Sequence, residues 1–283
     1  MSALRSLLFC PASEPVKLAK AFTTSADVVV ADLEDSVADS AKEIARAALR
    51  DLVREQPGLV SRLMIRINSD DPAVLAEDLL LVSQIDPLGV LVPKATPDVL
   101  ARISSHTRNL FPIIETAKGV NSSAETAQDP RVVALVFGAI DLAAEVSFRG
   151  NVLGTHLLYC RSKIAIDSAA AGIQPPIDSA FAQFRDEEGL RADTSAARDV
   201  GFQGKCCIHP SQLDIVHEIF GSDDLDWALE TLSLHARLAS EHAGVGSRNG
   251  EMVDMATVRR ARRIVEKSGA YSDRVGETER NLS

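Results

Sequence analysis

Five short stretches of this chain place charged side chains at the end of apolar, β-branched runs: Asp32-Leu33-Glu34-Asp35, Arg66-Ile67-Asn68, Pro93-Lys94, Glu115 and Gly138-Ala139-Ile140-Asp141. Asp178 and His209 hold similar positions farther along. Carboxylates packed together repel and raise one another's pKa unless a cation sits among them. A hard divalent ion resolves that conflict, and oxygen donors without neighbouring Cys or His ligands favour magnesium or manganese over zinc. Taken singly, each acid would serve equally well as a solvated cap at a helix N-terminus. The chemical argument rests on the whole set meeting in one place.

Meeting in one place requires a scaffold that gathers strand ends. Short apolar runs at 6–10, 26–31, 62–68, 89–92, 109–115, 132–137, 173–177 and 205–208 read as strands. They alternate with segments of helical period. Residues 14–22 carry Pro15 in the first turn, and Ala41, Ile44, Ala45, Ala48, Leu49, Leu52 and Val53 form a 3.6-residue stripe. Asp71 and Pro72 open a third helix, and further helices are expected at 155–171 and 213–220. Repeated β–α pairs imply a parallel sheet with right-handed crossovers, and eight of them close into a (βα)8 TIM barrel of the α/β class. A doubly wound sheet is the competing layout, but no G-x-G-x-x-G fingerprint follows the first strand.

The rhythm stops after Gly221. Two helices, 226–240 and 256–267, are joined there by a Gly-rich stretch at 244–250. The expected organisation is a barrel catalytic domain at 1–222 and a C-terminal helical extension at 223–283. In such a barrel the functional residues sit at the carboxyl ends of the strands, where the charged residues above fall. Asp32 and Glu34 share a parity, with Leu33 on the opposite face.

Composition bounds the partners. With 283 residues, 46% of them hydrophobic and 25% charged, the chain can bury a substantial core, and at 4% aromatics the aliphatic residues must fill it. A formal charge of −10 argues against nucleic acid or an anionic membrane as the main partner. Cys10, Cys160, Cys206 and Cys207 lack zinc-site spacing and read as buried free thiols of a reducing compartment. No signal-peptide pattern opens the chain and no apolar run is long enough to span a bilayer, so the expected location is cytoplasmic. Lys17, Lys20, Lys42 and Arg46 lie at i, i+3 or i, i+4 spacing and read as solvated helix faces.

At this point the residues resemble a known family. Arg5-Ser6-Leu7-Leu8-Phe9, Asp32-Leu33-Glu34-Asp35, Val92-Pro93-Lys94-Ala95, Ile113-Ile114-Glu115-Thr116-Ala117-Lys118-Gly119, Phe137-Gly138-Ala139-Ile140-Asp141-Leu142 and Gly204-Lys205-Cys206-Cys207-Ile208-His209-Pro210-Ser211-Gln212 are similar, in order and spacing, to the HpcH/HpaI aldolase/citrate lyase family, nearest its citrate lyase β-subunit-like branch. Gly250-Glu251-Met252-Val253-Asp254 closes the match.

The resemblance implies a Mg2+-dependent (Mn2+ possible) carbon–carbon lyase cleaving or forming a 3-hydroxyacyl-CoA thioester such as citryl-, malyl- or citramalyl-CoA. By the same resemblance Glu115 and Asp141 match the metal ligands, and Arg66 matches the arginine that grips the substrate carboxylate with a planar, two-pronged cation. Asp32 and Glu34 match an acidic pair lining the pocket. Asp254 matches a residue that acts as acid or base in a neighbouring subunit's site, which implies a homo-oligomer, a trimer in this family. Two other readings stand beside it: a metal-dependent aldolase acting on free 4-hydroxy-2-oxo acids, and a non-catalytic subunit that binds an acyl carrier.

Overall fold

The computed structural model describes residues 4–148, 157–221, 223–240, 245–248 and 250–267. Eight parallel strands form a closed barrel: β1 (Ser6–Pro11), β2 (Val28–Asp32), β3 (Leu63–Arg66), β4 (Gly89–Val92), β5 (Leu110–Ile114), β6 (Val136–Phe137), β7 (Ile177–Asp178) and β8 (Gly204–Cys207). Closure comes from β1 pairing with β8, Leu7 opposite Cys206, as well as with β2, Leu7 opposite Val28. The expected α/β barrel is therefore the observed one.

Strand parity sorts the core into two clusters. Leu7, Val28, Val30, Met64, Phe111 and Ile177 fill the barrel interior. Residues of the other parity, among them Leu8, Val29, Ala31, Ile65 and Cys207, pack outward beneath the helices. The helical layer includes α1 (Pro15–Ala21), α2 (Lys42–Glu55), α3 (Pro72–Ile85), α4 (Pro97–Ala101), α5 (Ala117–Asn121), α6 (Ser123–Thr126), α7 (Ala139–Glu145), α8 (Leu158–Ala171), α9 (Glu187–Asp199) and α10 (Leu213–Ile219). Ala45, Leu49 and Leu52 form the buried face of α2, as its periodicity requires. Asp71 caps α3 by accepting from the amides of Ala73 and Val74, with Pro72 at the first helical position.

Three elements of the barrel depart from expectation. The seventh strand, expected at 173–177, is reduced to Ile177–Asp178 because Pro175 and Pro176 have no N–H to donate to a ladder. The sixth shrinks to Val136–Phe137, with only a bridge from Leu110 to Val132 ahead of it. Helix α9 carries no apolar stripe to announce it. Its buried residues are Leu190, Asp193, Thr194 and Ala197, two of them polar.

The chain divides into two compact units, residues 4–220 and a second from Gly221 onward. The second contains α11 (Asp223–Ser240), a hairpin of β9 (Gly246–Arg248) and β10 (Glu251–Val253), and α12 (Met255–Lys267). The hairpin occupies the stretch expected to be a plain glycine-rich connection, and Gly250 turns it with φ of 85°. Ala228, Ala261 and Val265 form the small core of this unit, and the Arg260 guanidinium lies 4.6 Å from the Trp227 ring centroid.

Candidate active site

At the carboxyl ends of the barrel strands a cavity of about 520 Å³ opens, lined by Asp32, Arg66, Glu115, Gly138, Asp141 and Ser179 together with the apolar side chains of Phe9, Ile113, Val136 and Ile208. Its size is that of a small-molecule site. Four of the six sequence-predicted site residues thus face one space; Glu34 lines a second pocket with Asn68, Asp70 and Lys94, and Asp254 belongs to the second compact unit.

Asp32 and Arg66 end adjacent strands and stand opposite each other in register. Arg66 donates from Nε and Nη2 to the two oxygens of Asp32, each at 2.7 Å. Asp32 also accepts from the amide of Glu34 at 3.0 Å and from the Ser36 hydroxyl. Burial disfavours the Asp32 charge, but the hydrogen bonds and charge of Arg66 outweigh it and hold the carboxyl below its ordinary range. Arg66 Nη1 lies 2.9 Å from Glu34 Oε2, and its guanidinium stands 5.4 Å from the Phe9 ring centroid. Glu34 gains less from this neighbour: its Oε2 is buried with no aligned hydrogen bond. Burial pushes Glu34 up to about 7 against the pull of Arg66.

Glu115 follows β5 and is held from two sides. Its Oε1 accepts from the Lys94 amide at 2.7 Å. Lys94 adopts φ of 49°, a left-handed conformation that a side-chain-bearing residue rarely takes, and the amide is turned toward Glu115 there. On the other side is Gly138, where an added Cβ would come within 2.4 Å of the Glu115 Cβ and 2.7 Å of its Oε2. Burial, with Glu34 and Asp141 adding negative field, pushes Glu115 up to about 8 despite the Lys94 amide. Asp141, in the first turn of α7 at the cavity rim, is also raised, by partial desolvation and by Asp35.

This donor set fits a hard divalent cation. Two carboxylates share one cavity and both are raised, chiefly by burial, which Arg66 and, for Asp141, Lys94 only partly offset. Among the described residues no group of three or more His, Cys, Asp and Glu forms a protein-only cage. Magnesium does not require one, since it is ordinarily held by one or two carboxylates with water and substrate oxygens completing the shell.

Several polar residues turn out to be structural. Asp178 has the opposite parity to the cavity residues and points outward, so its expected place at the mouth is corrected. It is fully buried with Arg161, Asp193 and Lys205: Lys205 Nζ lies 2.6 Å from both aspartates, and Arg161 donates to Asp178 at 2.9 Å and to Asp193 at 2.7 Å. Lys42 and Arg46 are buried rather than solvated. Lys42 donates to the carbonyls of Leu33 and Glu34 and, at 2.7 Å, to Asn68 Oδ1, which pins the loop carrying Glu34. Arg46 pairs with Asp78 at 2.9 Å. His209 stacks on Phe184 with centroids 4.9 Å apart and caps the turn after β8. Cys10 and Cys206 reach the cavity, but burial raises both thiols, Cys10 to about 11, so neither is an activated nucleophile.

Asp254 stands at the head of α12, accepting from the amides of Ala256 and Thr257, both at 2.9 Å. These bonds and the Thr257 hydroxyl keep it below its ordinary range. Sequence reasoning missed Lys94 as an orienting amide and Ser179 altogether. The left-handed turn at Lys94 leaves no trace in residue type, and a serine two residues after Ile177 is unremarkable.

Comparison with known proteins adds an independent line. Residues 5–210 match the family model described as HpcH/HpaI aldolase/citrate lyase. The chain is 32% identical over 277 residues to the citrate lyase subunit beta-like protein of Deinococcus radiodurans, covering 93% of this chain and 96% of that one. It is 30% identical over 273 residues to a (3S)-malyl-CoA thioesterase of Cereibacter sphaeroides, covering 95% of each. Among solved structures, CitE from Mycobacterium tuberculosis in complex with magnesium, acetoacetate and coenzyme A superimposes with a TM-score of 0.79 at 32% identity, covering 94% of this chain and 98% of that one.

Proposed function

Because the chain belongs to the HpcH/HpaI aldolase/citrate lyase family, we propose that it is a magnesium-dependent carbon–carbon lyase that cleaves, or forms by condensation, a 3-hydroxyacyl-CoA thioester of the malyl-, citramalyl- or citryl-CoA kind. The observation carrying this reading is that Glu115, Asp141 and Arg66, distant in sequence, line one cavity at the carboxyl ends of the barrel strands. Glu115 and Asp141 would hold the ion, which when bound supplies a Lewis acid and a template for oxygen ligands.

The chain's own residues do the rest. Arg66 binds the free carboxylate of the hydroxy acid, and Asp32 fixes the plane of that guanidinium through its two hydrogen bonds. Glu34, which takes up a proton near neutrality, can hold or release one beside Arg66. Loss of the hydroxyl proton breaks the carbon–carbon bond to a 2-oxo acid and a thioester enolate. Protonation of the enolate carbon is assigned to Asp254 of a neighbouring copy in a homotrimer after it has taken up a proton from solvent; its lowered pKa holds it ionised at rest, the form that removes the same proton in condensation. The reading includes a cytoplasmic location, supported by the absence, among the described residues, of a helix long and apolar enough to cross a membrane.

The test is direct. Purified protein incubated with malyl-, citramalyl- and citryl-CoA and Mg2+ should release acetyl-CoA and a 2-oxo acid, and chelation should abolish release. Release of the intact hydroxy acid and free CoA would instead favour hydrolysis, the activity named for the Cereibacter relative. Turnover of free 4-hydroxy-2-oxo acids with no thioester requirement would favour the aldolase reading, and inactivity on every substrate the carrier-binding one. Glu115→Gln should weaken magnesium dependence sharply; an unchanged dependence removes Glu115 from the metal site. Mixing Asp254→Asn with Arg66→Ala chains should partly restore activity, and no complementation argues against a shared site.

A further inference from the structure

Besides its charged groups the cavity wall carries one uncharged oxygen donor whose proton is unspent. Ser179 follows β7, is 5% exposed and lines the cavity. Its Oγ accepts from the Ala139 amide at 3.0 Å. That bond occupies a lone pair and leaves the hydroxyl proton free, and among the described residues nothing accepts it. Each other side-chain donor on the lining is committed or weak. The N–H groups of Arg66 that Asp32 and Glu34 leave unused are assigned to the substrate carboxylate, the Ser36 hydroxyl donates to Asp32, and the thiols of Cys10 and Cys206 are poor donors. A hydroxyl that lines a cavity with its proton unspent can donate it to whatever oxygen enters there.

The substrate of the proposed reaction, on which this inference rests, supplies that partner. The oxygens of its hydroxy-acid end would be met by Arg66 and by the cation that Glu115 and Asp141 would hold. The thioester carbonyl oxygen remains without a donor. In cleavage the hydroxyl proton passes to a base, the role open to ionised Glu34 beside Arg66, its O–H electron pair becomes the new C=O of the oxo acid, and the carbon–carbon pair passes into the enolate, placing negative charge on that carbonyl oxygen. We propose that Ser179 is a catalytic residue whose hydroxyl donates a hydrogen bond to the thioester carbonyl and holds the enolate oxygen as charge develops, while its own proton stays on Oγ. The Ala139 amide directs it: with a lone pair committed to the head of α7, the O–H is left to point into the cavity. An oxyanion donor placed this way acts where the charge appears and needs no reorganisation at the moment of reaction.

The experiment separates this role from that of a mere prop for α7. Wild type, Ser179→Ala and Ser179→Thr are compared for lysis of malyl- and citramalyl-CoA, for solvent deuterium exchange into acetyl-CoA, and for Mn2+ affinity by calorimetry. Ser179→Ala should lower kcat and the exchange rate together on the order of 10²-fold, with KM and Mn2+ affinity nearly unchanged, and Ser179→Thr should recover most of both rates. Retention of turnover within about threefold in Ser179→Ala overturns the assignment. A loss of Mn2+ affinity that accounts for the loss of turnover also overturns it, because Ser179 would then act only by holding α7 and Asp141. Wild-type protein inactive on every thioester sinks the lyase reading itself, an outcome distinct from an active enzyme indifferent to Ser179.

Discussion

Asp32 and Arg66, partners in register at the ends of β2 and β3, are joined by two hydrogen bonds of 2.7 Å, so the one guanidinium that the described residues place on the cavity wall is held in a plane before any substrate enters. Such preorganisation lowers the entropy lost when a second carboxylate binds. Arg66→Lys keeps the charge but cannot form the fork, and kcat/KM should fall on the order of 10²-fold with the fold intact. Arg66→Met leaves Asp32 buried without its cation and Glu34 with Lys94 alone, and should cost about 3–5 kcal/mol in urea denaturation.

Gly138 is a glycine for lack of space beside Glu115 rather than for backbone freedom, since its φ is −106°. Gly138→Ala should displace Glu115 and destabilise by about 1–3 kcal/mol. Mn2+ titration should show weakened binding in parallel with a lower Tm. Unaltered affinity would mean that Glu115 is not constrained from this side.

The Glu34 carboxyl titrates at about 7 in the folded chain against 4.5 for an ordinary glutamate. Between those values the folded state keeps a proton that the unfolded state has lost, so stability is fully present below pH 4.5 and declines as pH rises toward 7. The decline is on the order of 3 kcal/mol. In metal-free protein, Glu34→Gln should flatten this part of the stability–pH curve; an unchanged slope would assign the titration to another group.

Asp178 faces away from the cavity, and its variant separates stability from chemistry. Asp178→Asn leaves Arg161 and Lys205 undercompensated and should cost about 3–5 kcal/mol, lowering Tm by roughly 10 °C. Turnover per folded molecule should be unchanged. A selective loss of kcat with Tm preserved would place Asp178 in the active site after all.

What could be read from residues alone follows the same physical lines. Polar side chains that interrupt β-branched runs mark strand ends, and Asp32, Arg66, Glu115 and Asp141 were legible for that reason. Parity is legible only where a strand is long enough to count along. Two prolines shorten the seventh strand to Ile177–Asp178, and the side on which Asp178 falls was misjudged. Helix α9 escaped because Asp193 and Thr194 lie on its buried face, Asp193 satisfied by Arg161 and Lys205, which only the assembled fold supplies, and Thr194 by the Leu190 carbonyl of its own helix. Lys42 and Arg46 looked like surface cations until Asn68 and Asp78 were brought against them.

The left-handed turn at Lys94 has an evolutionary consequence. Glu115 takes its orientation from a main-chain amide that every amino acid except proline possesses. The side chain at this position meanwhile reaches Asp70 at 2.6 Å and Glu34 at 3.5 Å. A lineage can therefore exchange residue 94 for another that tolerates the turn, glycine or asparagine above all, and redraw the charge of the rim while each descendant inherits the same aim on its acidic ligand. Divergence toward new acyl groups need not pass through a form that has lost its metal.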